Sequence, residues 1–110
     1  MIMILLCLTM ALTRFIWKYS TDGPLALYGS FNNWSIGYVM NHDIETNTMI
    51  CDLNLEPGTY TYKFKLGNKW LYDILKPTAT DSNGNVNNLI TIQNNKSLLD
   101  AMNEALMALM

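Results

Sequence analysis

Two tryptophans, Trp34 and Trp70, stand in settings that suit ligand contact. Trp34 falls in Gly29-Ser30-Phe31-Asn32-Asn33-Trp34-Ser35, a Gly-led, Asn-rich stretch that follows the strand-like run Leu25–Tyr28. Loops run over the surface, so the indole is expected to be partly exposed. Asn32, Asn33 and Ser35 place hydrogen-bond donors and acceptors beside its apolar ring. A pyranose offers the matching mixture, an apolar C–H face rimmed by hydroxyls. The other reading of Trp34 is a plug at the end of a core.

The second constellation lies between Thr59 and Asp73. Tyr60, Tyr62, Phe64 and Leu66 alternate with Thr59, Thr61, Lys63 and Lys65, the period of a half-buried strand. The aromatic set belongs inside, which turns both lysines outward. Gly67-Asn68 can close a two-residue hairpin. That register pairs Lys65 with Trp70, Lys63 with Tyr72 and Phe64 with Leu71. Directly paired residues share a face, so Trp70 projects outward beside the lysines. A one-residue slip would bury it instead.

The elements that must hold these residues are short and β-rich. Candidate strands are Arg14–Lys18, Leu25–Tyr28, Thr48–Leu55, Thr59–Leu66, Trp70–Asp73 and Leu89–Gln93, with a shorter run at Gly37–Met40. Turn residues punctuate them at Asp22-Gly23-Pro24, Glu56-Pro57-Gly58, Gly67-Asn68 and Ser82-Asn83-Gly84-Asn85. Frequent turns between short alternating strands predict an all-β sandwich. From Ser97 the period changes: Leu98, Met102, Ala105, Leu106 and Leu109 fall on one helical face, with Ser97 as N-cap. This predicts a short amphipathic helix over residues 96–110, packing on its own domain or on a neighbour.

Composition narrows the function. The 110 residues make one domain, half of them hydrophobic and only 15% charged, which excludes intrinsic disorder. A formal charge of −2, with Lys and Arg scattered but for a small cluster at Lys63, Lys65 and Lys69, argues against a nucleic-acid binder and leaves a neutral ligand as the best fit. Cys7 and Cys51 give neither a disulfide framework nor a metal spacing, and no cofactor is implied. Cys51 shares the alternation phase of Met49, Leu53 and Leu55 and reads as a buried thiol.

The apolar segment 1–12 is too short to span a bilayer. It fits a signal's apolar region without its basic start, an anchor, a strand or a docking helix. Two glycosylation sequons, Asn33-Trp34-Ser35 and Asn95-Lys96-Ser97, argue against secretion. A glycan on Asn33 would cover the proposed binding surface. The expectation is a cytoplasmic protein, with secretion or membrane association as the alternative.

Residues 13–95 resemble the family-48 carbohydrate-binding modules, and most closely the glycogen-binding domain of the β subunit of AMP-activated protein kinase. The matching pieces are Phe15-Ile16-Trp17, Leu27–Ser35, Asp52–Gly58, Tyr60–Lys65, Trp70, Asp73, Pro77-Thr78 and Asp81–Asn88, all in order. The resemblance implies an immunoglobulin-like β-sandwich that binds α-1,4-glucan (glycogen, starch, maltooligosaccharide or cyclodextrin) without catalysis. The family's two stacking tryptophans match Trp34 and Trp70, its hydroxyl-bonding lysine Lys63, and its sugar-bonding asparagine Asn87. Asn83 and Asn85 complete the candidate site in the same loop. Asn83 stands where the kinase subunit has a leucine and Asn85 where it has a threonine, so weaker binding is expected. The loop from Ile36 to Thr48 is longer than in that subunit, and its His42 and Asp43 are expected to be solvated.

A rival reading keeps the sandwich but makes it an interaction subunit of a larger, kinase-regulatory-like assembly, using the apolar N-terminus or the C-terminal helix. The matched stretch does not include the region by which the kinase β subunit holds its α and γ partners. An enzyme fits poorly. His42 has no nucleophile partner in a recognisable motif, Cys51 faces the core, and no close acidic pair shares a strand face. The cysteine–arginine phosphate loop that accompanies the module in plant phosphatases is absent as well.

Overall fold

The computed structural model describes residues 10–93 and 96–110. Nine strands form two antiparallel sheets: β1 (Ala11–Trp17), β2 (Leu25–Gly29), β3 (Tyr38–Val39), β4 (Asn41–Asp43), β5 (Thr48–Leu55), β6 (Gly58–Leu66), β7 (Lys69–Leu71), β8 (Thr78–Thr80) and β9 (Val86–Ile92). The smaller sheet runs β1-β5-β4 and the larger β3-β2-β6-β9-β8, with β7 paired to β6. One helix follows, α1 (Lys96–Ala108). This is the all-β sandwich with a C-terminal helix expected from the pattern of alternation.

The alternation decides which side chains fill the space between the sheets. Phe15 and Trp17 from β1 and Cys51 and Leu55 from β5 meet Leu25 and Leu27 from β2, Tyr62 and Phe64 from β6 and Ile92 from β9. Aromatic rings cross the gap edge-on or tilted: Phe15 lies 4.9 Å from Tyr62 and Trp17 4.7 Å from Phe64. Burying these rings is the main stabilising contribution, and tilted packing adds to it. On the outer face of the small sheet, paired Arg14 and Asp52 make a two-pronged bond, 2.8 Å on each prong.

One segment joins the two layers. β3 pairs with β2 in the large sheet, β4 pairs with β5 in the small one, and buried Met40 forms the corner between them. Its N–H donates to the Leu25 carbonyl at 2.8 Å. The run at Gly37–Met40 is therefore a strand that changes sheet.

Some boundaries differ from the alternation pattern. β1 begins at Ala11, paired with Leu55, so Ala11 and Leu12 of the apolar segment are part of the sandwich. The readings for residues 1–9, including Cys7, and for Asn95 of the second sequon fall outside the described residues. β7 ends at Leu71, because Asp73 turns inward to bond other partners. β4 and β8 have three residues each, too few to show a period. Residues 100–110 of α1 and its end are exposed, with Met107 at 73% and Leu109 at 85%, so their apolar side chains are not covered by the sandwich.

Candidate functional site

The outer face of the large sheet carries a groove of about 660 Å³ lined by Trp34, Thr61, Lys63, Trp70, Asn85 and Asn87, together with Ala79, Thr80 and Asp81. Five of the six residues expected from sequence are thus brought together. Asn83, the sixth, is exposed at the tip of the same loop and does not line the groove. The hairpin register is the expected one, with Phe64 opposite Leu71 and Lys65 opposite Trp70. Leu66 pairs with Lys69 across Gly67-Asn68, and Gly67 takes the positive φ of 58° that this turn needs.

Trp70 is 46% exposed and fixed from two sides. Tyr28 meets it edge-on at 5.0 Å, and the Lys65 ammonium lies 4.9 Å from the ring centroid, within cation–π range. Tyr28 itself fits only because position 37 is glycine: a Cβ there would meet the tyrosine ring at 2.5 Å. The two lysines therefore differ. Lys65 braces Trp70 from outside the groove, while Lys63 lines the groove, its ammonium 5.8 Å from the Tyr72 ring.

Trp34 is half-buried and presented by a turn with an uncommon backbone. After β2, a single 3₁₀ turn (Ser30–Asn32) leads into Asn33 and Trp34, both left-handed at φ 57° and 61°. Asparagine tolerates that region; for tryptophan it costs about 1–2 kcal/mol. The turn is over-determined by bonds. Trp34 N–H donates to Gly29 at 2.9 Å, Ser35 Oγ to the Asn32 carbonyl at 2.7 Å, and Asn32 Nδ2 to the Ile36 carbonyl at 3.1 Å. Ser30 Oγ accepts from Thr61 N–H at 3.0 Å, tying the turn to β6. Asn32 and Ser35, read from sequence as polar groups beside the ring, are thus committed to shaping the loop.

Asn87 projects from β9 opposite Ala79 on β8. Its neighbour Asn88 is fully buried and clamps the far side of the site. Asn88 Oδ1 accepts from Asp73 N–H at 2.7 Å, and its Nδ2 donates to the carbonyls of Asp73 at 2.8 Å and Pro77 at 3.3 Å. Buried Asp73 in turn accepts from the Tyr19 hydroxyl at 2.8 Å and Leu75 N–H at 3.0 Å. The hydrogen bond to Asp73 raises the Tyr19 pKa. Burial pushes the Tyr62 hydroxyl up to about 12 and raises the Cys51 thiol.

The loop between β8 and β9 turns around Asp81, whose carboxylate accepts from the backbone N–H groups of Asn83 and Asn85, both at 2.9 Å. Those bonds, chiefly the one from Asn85, hold its pKa below the ordinary value, and Lys63 adds to the effect. Sequence reasoning quoted Asp81 within a motif but gave it no role. Thr61, Ala79 and Thr80 were also missed as groove residues. Thr61 was legible as an outward neighbour of Lys63, whereas β8 gave no signal. His42 and Asp43 lie away from the groove, bonded within their own loop to Asn47 and Thr46. Among the described residues, no group of three or more His, Cys, Asp or Glu could hold a metal ion.

The groove thus presents two part-exposed indoles beside ammonium, amide and hydroxyl groups. Residues 11–98 match the family described as the glycogen recognition site of AMP-activated protein kinase. The chain is 36% identical over 84 residues to the β-1 subunits of 5'-AMP-activated protein kinase from Sus scrofa and Homo sapiens, covering 74% of this chain and 63% and 28% of those subunits. It is 36% identical over 79 residues to the β-2 subunit from Mus musculus, covering 69% of this chain and 28% of the subunit. The chain therefore spans under two thirds of the pig sequence and under a third of the other two. Matched along most of its sandwich, it belongs to the family of glycogen recognition sites of AMP-activated protein kinase.

Proposed function

We propose that the groove binds neutral α-1,4-linked glucan (glycogen, starch, maltooligosaccharides or cyclodextrin) and performs no chemistry on it. Trp34 and Trp70 are platforms for successive glucose rings, Lys63 and Asn87 bond hydroxyls, and Asn85 assists. The observation that carries this reading is the inclination of the two indoles, 71° between planes with centroids 6.4 Å apart. A flat glycan ribbon cannot stack on both; a chain that turns between residues can. A shallow groove gains little area, so the bonded turn under Trp34 and the bracing of Trp70 limit the ordering cost of binding. A single site is expected to be weak and to gain from repeated contact with a polymer.

The test is retention of the chain on glycogen and amylose, with maltoheptaose and β-cyclodextrin as competitors, beside a folded Trp34→Ala, Trp70→Ala double variant. Retention by the wild type alone supports the proposal; equal retention of both sinks the site assignment. A second role is favoured by the exposed Met102, Leu106, Met107 and Leu109 on and just beyond α1, which suit attachment to a protein partner in a larger assembly. Loss of self-association or of partner capture on removal of residues 96–110 tests it. Among the described residues no helix is long and apolar enough to cross a membrane. A cytoplasmic setting is part of the same proposal, on the argument from the Asn33 sequon.

A further inference from the structure

The loop from Asp81 to Asn85 supplies two groove residues and is exposed along its length. Its order comes from one carboxylate and two backbone bonds. Asp81 Oδ1 accepts from Asn83 N–H and Asn85 N–H, each at 2.9 Å, and Asp81 Oδ2 accepts from Asn85 Nδ2 at 3.3 Å. The backbone closes the same ring, with Asp81 N–H donating to the Asn85 carbonyl at 2.9 Å and Gly84 N–H to the Asp81 carbonyl at 3.1 Å. Gly84 makes the reversal with a φ of 83°, a conformation that suits glycine.

We propose that Asp81 is a positioning residue for glucan binding, a carboxylate staple that holds Asn85 on the groove rim by bonding both its backbone and its side chain. The inference rests on the glucan reading of the groove. Charge-assisted bonds of this kind are stronger than neutral ones, and without them an exposed five-residue loop samples many conformations. Both partners of Asp81 in the loop are uncharged; Lys63, across on β6, is the charged group that acts on it. Holding the carboxylate ionised by these donors keeps the staple intact through the physiological range.

The experiment is calorimetric titration of maltoheptaose into wild type, Asp81→Ala, Asp81→Asn, Asn85→Ala and the Asp81→Ala, Asn85→Ala double variant, with the two-tryptophan variant as the control for the groove. Amide spectra establish that each is folded. Asp81→Ala is expected to weaken binding about tenfold. Asp81→Asn, which keeps one acceptor for the backbone N–H groups but loses the charge and the bond to Asn85 Nδ2, is expected to fall between Asp81→Ala and wild type. Because Asp81 acts through Asn85, its removal in the Asn85→Ala background is expected to cost less than about twofold more. Additive losses would show direct sugar contact and overturn the positioning role. So would Asp81→Ala binding like wild type while the tryptophan variant does not. Absence of binding by folded wild type would instead remove the groove reading and this assignment with it.

Discussion

Lys65 lies 4.9 Å over the ring of Trp70, and Lys63, two residues earlier on the same strand, lies in the groove that Trp70 helps to line. One face of β6 thus presents two like charges with different tasks. Lys63→Ala is expected to cost glucan affinity by removing a hydroxyl partner, about fivefold or more. Lys65→Ala is expected to cost no more than about threefold, the worth of an exposed cation–π contact. Titration with β-cyclodextrin, read by tryptophan fluorescence, checks the order; equal losses would refute the division.

Alanine at Trp34 or Trp70 singly is expected to weaken retention on glycogen by about thirtyfold or more, the scale of losing a tryptophan anchor. At Trp34 the substitution also relieves the side-chain conflict of a left-handed backbone only in part, so thermal stability should shift little. A binding loss accompanied by global unfolding would assign Trp34 to the core instead.

Asn88→Ala is expected to destabilise the domain by about 2–3 kcal/mol in urea denaturation. The carbonyls of Asp73 and Pro77 keep a second donor each, from Lys76 and Leu89, whereas the Asp73 N–H loses its partner altogether. Asn88→Asp should be worse, since it removes the donor and buries a second carboxylate beside Asp73. Stability within about 0.5 kcal/mol of wild type for both would contradict the clamp.

In alkali the buried Tyr62 limits stability. Its folded pKa of about 12 lies above the ordinary 10.0, so the folded state retains a proton that the unfolded chain releases. That contribution is present in full below pH 10.0 and is lost as pH rises through about 12, a decline on the order of 2 kcal/mol. Tyr62→Phe should flatten the decline, as followed by denaturation midpoints across the range.

Asn83→Leu places at this loop tip the apolar residue that the resemblance to the kinase subunit implies. Maltoheptaose affinity should rise roughly tenfold if the side chain reaches the ligand, as burial of a leucine allows. No rise would place the tip beyond the sugar's reach, in keeping with its position outside the groove.

Much of this was legible because β-sheet geometry is periodic. The alternation from Tyr60 to Leu66 and the Gly67-Asn68 turn sufficed to place Trp70 opposite Lys65 and both outside. The turn that presents Trp34 was visible as a string of loop formers, yet its left-handed tryptophan was not, because no local preference of that side chain favours it. β4 and β8 were invisible for lack of length, and with them the groove residues Ala79 and Thr80. Asp81 and Asn88 were in view as letters of a motif, but hydrogen bonds to the backbone depend on three-dimensional closure. The exposure of residues 100–108 was equally hidden, since amphipathicity shows that a face wants cover and not what provides it.

The Asn88 clamp has a thermal consequence. Trp70 lies three residues before Asp73 and Asn87 immediately before Asn88, so both groove residues are moored to a side chain with no solvent exposure. That strip of the groove has no low-energy opening of its own, and the amide protons beside Asn88 should exchange with those of the sandwich. Warming should therefore keep Trp70 and Asn87 in place up to the melting transition of the domain.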